Sequence, residues 1–348
     1  MRLTFLILIA IAGISCTPKE PLYHTQHYVF GTLVDISIYG EPDTRAEVVS
    51  NGIIDQYNAL HQRLHAWQPS EIQTLNQAFA TGSEAIDVSP DIIKMLTDIT
   101  KLSNQSNGAF NPAIGKLIKR WGFQSDAFIP HQINHDAIKK LVSQQPQMSD
   151  IVISGNKIKS INPTVQLDLG GYAKGYALDI GSQYLRQQNI HNALINIGGN
   201  IIALGTHGDK PWRVGIQNPR QPNAIATIDL PSGWAIGTSG DYQRFFELEG
   251  KRYCHIINPS TGYPVQGMQS VTVLIPPQSN AGVLSDVASK PIFIADMHAR
   301  IAAAKAMQTE YFLMIESNRT ITVSKPMAEK LQWLDTQVEK NVKVVDFE

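Results

Sequence analysis

Between residues 193 and 275 the sequence is a succession of short apolar segments, each ended by glycine, proline or a polar turn. Segments of this length between turn residues are typical of β-strands. Apolar residues at helical spacing precede them at 44–64, 90–108 and 172–188, and helical patterns return after residue 281. Because strands and helices are mixed here with few regular βαβ units, the pattern predicts an α+β fold.

Three further segments favour strands. The alternation of residues 29–40 predicts one strand, and the apolar run 165–169 predicts another, leading directly into the helix at 172–188. Residues 151–161 predict a hairpin with Gly155-Asn156 at its turn.

The N-terminus has the pattern of an export signal. Arg2 is followed by a short apolar run that ends in small residues just before Cys16, as in a secretory signal peptide. The run is too short for a transmembrane helix. The residues before Cys16 resemble a bacterial lipobox, although Gly13 stands where Leu is usual. We therefore expect lipidation at Cys16 and an anchor in a membrane, facing the periplasm; the alternative is a plainly cleaved signal.

These features give a domain organisation. Residues 1–15 are predicted to be the signal peptide and residues 16–27 a polar lipidated tether. Residues 28–348 are expected to form one domain, with a helical lobe at about 85–145.

Charge and cysteine content exclude some classes of protein. The formal net charge is −1 and no cluster of Lys and Arg is present, so nucleic acid is not expected as a partner. Beyond Cys16 only Cys254 remains, so no intramolecular disulfide is expected. The chain must be stabilised by burial, and its length allows a large core.

The segment 167–179, LDLGGYAKGYALD, is the first candidate site. Gly170 and Gly171 follow the predicted strand and could adopt positive φ and approach a ligand closely. The following helix would direct unpaired N–H groups at that ligand, with Lys174 in its first turn. The spacing matches neither a Walker loop nor GxGxxG. The alternative is a tight strand-to-helix connection with a solvated lysine, which these residues taken alone favour.

Polar residues concentrate again in two later segments. NIGGN, at 196–200, places Gly199 and Asn200 at another strand end, which alone indicates only a bend. The segment 237–265 contains Thr238, Ser239 and Tyr242, and ends in His255 and a turn-rich loop. A lone histidine is usually structural, but a neutral imidazole beside a polar loop could also accept a proton near neutral pH.

Two more groups of residues can be explained by local structure. Asp286 and Lys290 are four residues apart, which on a helix gives a simple salt bridge. Trp67 could stack on a planar ligand, whereas Ser70-Glu71 could simply start a helix with Ser70 as its N-cap.

Taken in order, these segments resemble the ApbE family, the FAD:protein FMN transferases. The resemblance covers about residues 28–300 and is carried by the following motifs: Gly31-Thr32, WQPSEIQTLN, GAFNPAIGKLIKRWGF, DLGGYAKGYALD, NIGGN, WRVGIQNP, GTSGDYQRFFELEGKRYCHIINPSTGYPV and SDVASK.

The resemblance implies an α+β fold with mixed or antiparallel sheets, flanking helices and an FAD cleft. It implies transfer of FMN from FAD to a Thr or Ser hydroxyl of an exported or membrane redox protein, with release of AMP. By the same resemblance His255 is the base, and Gly170, Gly171, Gly199, Asn200 and Lys174 lie near the diphosphate. Glu71 would contact the adenine-ribose end, and Trp67, Thr238, Ser239 and Tyr242 would line the flavin pocket.

The sequence departs from the family pattern where Mg2+ is expected. The family's AD-x-x-x-T motif supplies a carboxylate and a hydroxyl to the metal; here Asp286 is present, but Lys290 replaces the threonine. A charged ammonium cannot be a metal ligand. Asn111 and Asn200 also stand where the family has acidic residues. The alternative function is therefore a flavin-binding lipoprotein whose metal-dependent activity is lost or altered.

Overall fold

The computed structural model describes residues 20–125 and 127–347. The predicted signal peptide, the lipidation site Cys16 and residues 17–19 of the predicted tether lie outside the described residues, whereas residues 22–27 of that tether belong to the first strand. Within them, no helix is both long and apolar enough to cross a membrane.

The described part of the chain alternates irregularly between strands and helices. The strands are β1 Leu22–Val29, β2 Thr32–Tyr39, β3 Ile86–Asp87, β4 Ile151–Ser154, β5 Lys157–Ser160, β6 Ala193–Ile197, β7 Asn200–Leu204, β8 Trp212–Gln217, β9 Ala224–Leu230, β10 Ala235–Gly240, β11 Phe245–Leu248, β12 Lys251–Cys254, β13 Met268–Ile275, β14 Tyr311–Glu316, β15 Ile321–Ser324, β16 Leu331–Trp333 and β17 Val342–Val345. The helices are α1 Asp43–Leu64, α2 Glu71–Thr81, α3 Pro90–Gln105, α4 Gly115–Arg120, α5 His135–Ser143, α6 Ala173–Gln187, α7 Ala281–Val287, α8 Ser289–Ile294, α9 Arg300–Ala306, α10 Lys325–Ala328 and α11 Thr336–Lys340.

The central sheet has nine strands, in the order β1-β2-β6-β7-β10-β13-β14-β15-β17. Neighbouring strands are antiparallel except β15 and β17, which are parallel. Smaller sheets are formed by β16-β9-β8, β3-β5-β4 and β11-β12. The α+β prediction is confirmed.

Both faces of the central sheet are buried. Ile202 and Leu204 of β7 pack with the helices in the principal core, whereas Ile201 and Ala203 pack with the β16-β9-β8 sheet in a second core. This alternation follows from the two-residue period of a strand. The result is three layers, with helices on one face and a small sheet on the other.

A third, smaller core lies beside these layers. It joins α4 and α5 to the β11-β12 hairpin around Trp121, Phe123 and Phe246. The residues of α3, by contrast, pack into the principal core. The helices of segment 85–145 therefore belong to two different cores.

Most local predictions are confirmed, and the strand at 165–169 is wrong. Helices occupy 43–64, 90–105 and 173–187, and the hairpin at 151–160 is present. The strand predicted at 29–40 is present as β2, residues 32–39. A turn precedes it, because Phe30 and Gly31 both adopt positive φ (57° and 71°) and join β2 to β1 as a hairpin. The segment 165–169 makes only one bridge, between Gln166 and Ile114.

Candidate active site

The segment that was expected to be a strand before α6 is held by both backbone and side-chain hydrogen bonds. On the backbone, Gln166 and Asp168 bond to residues 112–115 at 2.7 to 3.1 Å. Leu167 donates its N–H to Asn76 Oδ1 (2.6 Å) and accepts from Asn76 Nδ2 (2.9 Å). Asp168 is buried; its Oδ1 accepts from the Gly170 N–H (3.1 Å) and its Oδ2 accepts from Gln124 Nε2 (3.0 Å). These bonds satisfy backbone groups that a neighbouring strand would otherwise pair, and they fix the turn that leads into α6.

Gly170 and Gly171 are not in the left-handed region, contrary to the expectation from sequence. Their small size matters instead. A Cβ atom on Gly171 would lie 2.8 Å from Lys290 Cε, and one on Gly170 would lie 3.2 Å from Asp168 Oδ1. The absence of a side chain at Gly171 therefore lets Lys290 pack directly on the turn.

Lys174, Asp286 and Lys290 form a charged cluster at the start of α6. Asp286 of α7 is buried. Its Oδ1 accepts from Lys290 Nζ (2.7 Å) and lies 3.6 Å from Lys174 Nζ. Its Oδ2 accepts from the Gly175 N–H (3.1 Å). Lys290 Nζ also donates to the backbone oxygen of Asp286 (2.5 Å). The i,i+4 salt bridge is thus present, and it is mostly buried.

Charge and burial act in opposite directions on this cluster. Burial alone would raise the pKa of Asp286, but the ammonium groups of Lys174 and Lys290 outweigh it, and the pKa is lowered. Burial lowers the pKa of Lys290 despite the neighbouring carboxylate. Asp286 is therefore ionised and held by both lysines.

His255 follows β12 directly and is held through one ring nitrogen. Its Nδ1 lies 3.2 Å from the backbone oxygen of Arg244, and since a carbonyl can only accept, Nδ1 carries the proton. The lone pair is then on Nε2. Burial, followed by the charges of Arg244, Lys174 and Lys290, lowers the pKa of His255 to about 3. The imidazole is therefore neutral at physiological pH, with its lone pair on Nε2.

The shifted pKa of His255 predicts a pH dependence of stability. An unfolded histidine titrates near pH 6.5, whereas the folded one titrates at about 3. Between these values the unfolded chain binds more protons, so the free energy of unfolding should fall as pH decreases from about 6.5 towards 3. Urea unfolding from about pH 7 to about pH 4 measures this, and His255→Asn should flatten the profile. An identical profile in the variant would contradict the assignment.

Strand β10 separates this cluster from a cavity. Ser239 is buried and shares a hydrogen bond of 2.7 Å with Ser289, the residue before Lys290. Thr238 lies on the opposite face of the strand, shares a 2.8 Å hydrogen bond with Thr272, and lines a cavity of about 360 Å³. The two side chains therefore do not line one pocket, contrary to the expectation, because neighbours on a strand point to opposite faces.

Other residues of the predicted site line the same cavity. Gly199 and Tyr242 line it, together with Thr32, Asp35 and Gln243. Burial raises the pKa of Tyr242 to about 12, so its hydroxyl remains protonated.

NIGGN has a structural explanation of its own. Gly198 and Gly199 both have positive φ (56° and 92°) and form the two-residue turn between β6 and β7. Asn200, the next residue, is buried. Its Oδ1 would lie 2.6 Å from a Cβ atom on Gly237.

Trp67 and Glu71 lie in a third region. Trp67 is exposed and its ring meets His65 edge-on at 4.5 Å. Ser70 is the N-cap of α2, because its Oγ accepts from the Gln73 N–H (2.9 Å). Glu71 forms a bidentate ion pair with Arg63 (2.5 and 3.1 Å), which also pairs with Asp91. The carboxylate of Glu71 already has a cationic partner.

Replacing Glu71 separates its structural role from a ligand contact. The Arg63–Glu71 pair is partly exposed, so Glu71→Gln should change the free energy of unfolding by less than about 1 kcal/mol. If Glu71 also contacts the nucleotide, the affinity for FAD should fall several-fold although the variant remains folded. Chemical denaturation and fluorescence titration with FAD give the two values; unchanged affinity would remove Glu71 from the site.

Several residues near these groups were not predicted from sequence. Gln124 binds Asp168, Ser289 binds Ser239, and the Arg244 carbonyl orients His255. Gln124 and Ser289 lie within the motifs quoted above or directly beside them, but nothing in the sequence indicates which residue they contact. The orientation of His255 involves a backbone oxygen, which no residue type reveals.

The described residues do not fit a magnesium ion. Both carboxylate oxygens of Asp286 already have donors, and the nearest side chain is an ammonium group. Within 20–125 and 127–347, no group of three or more His, Cys, Asp or Glu could hold a metal ion. A hard divalent cation needs several oxygen ligands.

The fold is that of flavin transferases. The ApbE protein from Thermotoga maritima matches with a TM-score of 0.81 at 25% identity, over 89% of this chain and 99% of that one. The flavin transferase ApbE from Vibrio cholerae matches with a TM-score of 0.75 at 26% identity, with the same coverage.

Sequence comparison identifies the family. The ApbE family model matches residues 30–313. An FAD:protein FMN transferase from Rhodobacter capsulatus is 37% identical over 95% of this chain, which spans 62% of that relative's length. An FAD:protein FMN transferase from Vibrio cholerae is 28% identical over 89% of this chain and 92% of its own length. The chain belongs to the ApbE family, as its motifs predicted.

Proposed function

We propose that this protein is an FAD:protein FMN transferase that moves FMN from FAD to a Thr or Ser hydroxyl of an acceptor protein and releases AMP. The family and the names of the relatives support this activity. The structural observation that carries it is the neutral imidazole of His255, with its Nε2 lone pair available, beside the charges of Lys174 and Lys290.

The reaction needs a base and positive charge. The acceptor oxygen forms a bond to the phosphorus of the FMN half, and the bond from that phosphorus to the oxygen bridging to AMP breaks. Nε2 of His255 takes the hydroxyl proton. Lys174 and Lys290 stabilise negative charge on the phosphoryl oxygens and on the departing AMP.

Most of the remaining predicted residues bind and orient FAD in this proposal. Gly170 and Gly171 bring the start of α6 close to the diphosphate, with Gly199 in the β6-β7 turn and Asn200 at the start of β7. Thr238 and Tyr242 line the cavity on the far side of β10 from the charged cluster, so they are not assigned to the flavin pocket, and Trp67 is the proposed stacking partner of the flavin. Ser239 acts from the other face of β10, through Ser289. Glu71 contacts the adenine-ribose end.

A flavinylation assay tests the proposal. Purified protein, FAD and an acceptor flavoprotein domain are incubated with and without Mg2+. Transfer gives a fluorescent acceptor band, the mass increase of one covalently bound FMN, and one AMP per acceptor. FAD binding without any transfer, alongside a working relative, would instead favour the alternative flavin-binding lipoprotein.

We further propose that the protein acts while anchored to a membrane by lipid at Cys16, facing the periplasm, on an acceptor in a membrane redox complex. The apolar run and small residues before Cys16 support this location. Cys16→Ser should move the protein from the membrane fraction to the soluble fraction. Unchanged fractionation would argue against the anchor.

A further inference from the structure

The position of Lys290 differs from what a metal-binding site requires. Its Nζ lies 2.7 Å from Asp286 Oδ1 and 2.5 Å from the Asp286 backbone oxygen. A cation that used these two oxygens would have to displace the ammonium group, whose side chain is only 16% exposed.

Close packing fixes the stem of Lys290 in this position. A Cβ atom on Gly171 would lie 2.8 Å from Cε and 3.3 Å from Cδ of Lys290. The lysine thus lies against the Gly170–Gly171 turn, and its charge is adjacent to the N-terminus of the 15-residue helix α6. That end of a helix favours an anion.

The charges in the cluster can be counted. Asp286 contributes one negative charge, and Lys290 and Lys174 contribute two positive charges within 3.6 Å of the same oxygen. Lys290 supplies one charge where a divalent cation would supply two, and Lys174 brings the second. The cluster has a net charge of +1, which suits a diphosphate.

We propose that the Lys290 ammonium group takes the place of a divalent cation beside the diphosphate of a flavin or adenine dinucleotide, so that this site works without Mg2+. The part that concerns transfer rests on the proposed function; the part that concerns nucleotide binding does not. In the transfer step Lys290 neutralises phosphoryl oxygens by charge and hydrogen bonding, and forms no covalent bond. The hydroxyl proton still passes to His255, and AMP leaves as before.

FAD titrations in EDTA and in excess Mg2+ test the binding part. For the full-length protein the dissociation constant should be the same in both conditions. Lys290→Met should weaken binding in EDTA by about tenfold or more, the loss expected for one charged hydrogen bond. Lys159→Met, the same change at an exposed residue of β5, should have no effect.

Lys290→Thr provides a second, independent variant. It places a hydroxyl four residues after Asp286 and frees the carboxylate, so its FAD affinity should be low in EDTA and should recover when Mg2+ is added. Thermal melts of all variants separate these effects from loss of folding. If either Lys290 variant is folded and, in EDTA, binds FAD as tightly as the unmodified protein does, the proposal is overturned.

Flavinylation under the same conditions distinguishes the two proposals. Transfer at equal rates in EDTA and Mg2+ supports both. Transfer only with Mg2+ overturns the role of Lys290 and leaves the transferase function intact. Metal-independent FAD binding with no transfer under any condition overturns the transferase function and supports the role of Lys290 in binding.

Discussion

His255→Asn is expected to reduce the rate of FMN transfer by about 10²–10⁴-fold, the usual contribution of a positioned general base. The side-chain amide of asparagine can donate to the Arg244 carbonyl as Nδ1 of His255 does. It has no basic nitrogen in place of Nε2, so the variant keeps the hydrogen bond and loses the proton acceptor. FAD affinity should therefore change little, and the loss should fall on kcat.

The pH profile gives a second measurement of the same group. In the free protein burial and neighbouring cations lower the pKa of His255 to about 3, and the diphosphate of bound FAD should raise it. The acid limb of kcat, which reports the complex, should lie at higher pH than that of kcat/KM, which reports the free enzyme. His255→Asn should lose the limb in kcat.

A matched control for this variant is His135→Asn, on the exposed surface of α5, where Nδ1 bonds to the hydroxyl of Tyr263 (2.6 Å). It makes the same chemical change without touching the cluster, and should leave both kcat and the pH profile as they are. Transfer at the full rate in His255→Asn would contradict the role of His255 as the base.

The helices were predictable from sequence because their signals are local. The stripe of apolar residues in α1 and α6 and the Ser70 cap of α2 depend on spacing and on one hydrogen bond. Tertiary packing agrees with these local signals, because the apolar faces of α1 and α6 are the ones that pack into the principal core.

The missed turn at Phe30-Gly31 and the wrong strand prediction at 165–169 have different physical causes. The turn at Phe30-Gly31 needs positive φ at both residues, and phenylalanine is rarely found there, so the usual Asn-Gly signal is absent. The segment around Leu167 bonds partly to the backbone of residues 112–115, but the backbone groups of Leu167 itself bond to the side chain of Asn76, 91 residues earlier in the chain. Neither local propensity nor alternation can reveal such a partner.

One contact of the candidate site was predictable from sequence, whereas the rest of its geometry was not. The spacing of Asp286 and Lys290 predicted their ion pair, because side chains four residues apart lie on the same face of a helix. That Gly171 makes room for Lys290 follows only from the approach of α8 to the turn before α6. Similarly, Thr238 and Ser239 were expected in one pocket, and the face each occupies depends on the register of β10 with β13.

The contact between α6 and α7 predicts a large effect at Gly175. A Cβ atom there would lie 2.4 Å from the Gly282 backbone oxygen and 2.8 Å from Asp286 Cβ. Alanine in a helix is normally favoured over glycine by up to about 1 kcal/mol. The clash is with backbone, which cannot rotate away, so Gly175→Ala should instead lower the free energy of unfolding by about 1–3 kcal/mol.

The same change should also disturb the charged cluster. The Gly175 N–H donates to Asp286 Oδ2, and α7 is held at its start by Asp179, which accepts from the Gly282 and Val283 N–H groups (2.7 and 2.9 Å). If alanine pushes α7 away, Asp286 moves and takes Lys290 with it, so FAD affinity should fall together with stability. Urea unfolding and FAD titration measure the two losses.

Gln183→Ala, on the exposed face of the same helix, separates packing from helix propensity. It should leave stability within about 0.5 kcal/mol and FAD affinity unchanged. If Gly175→Ala proved as stable as the unmodified protein, α6 and α7 could separate without cost. The close contact would then not be what positions Asp286, and the geometry of the cluster would have to depend on the ion pairs of Lys174 and Lys290 alone.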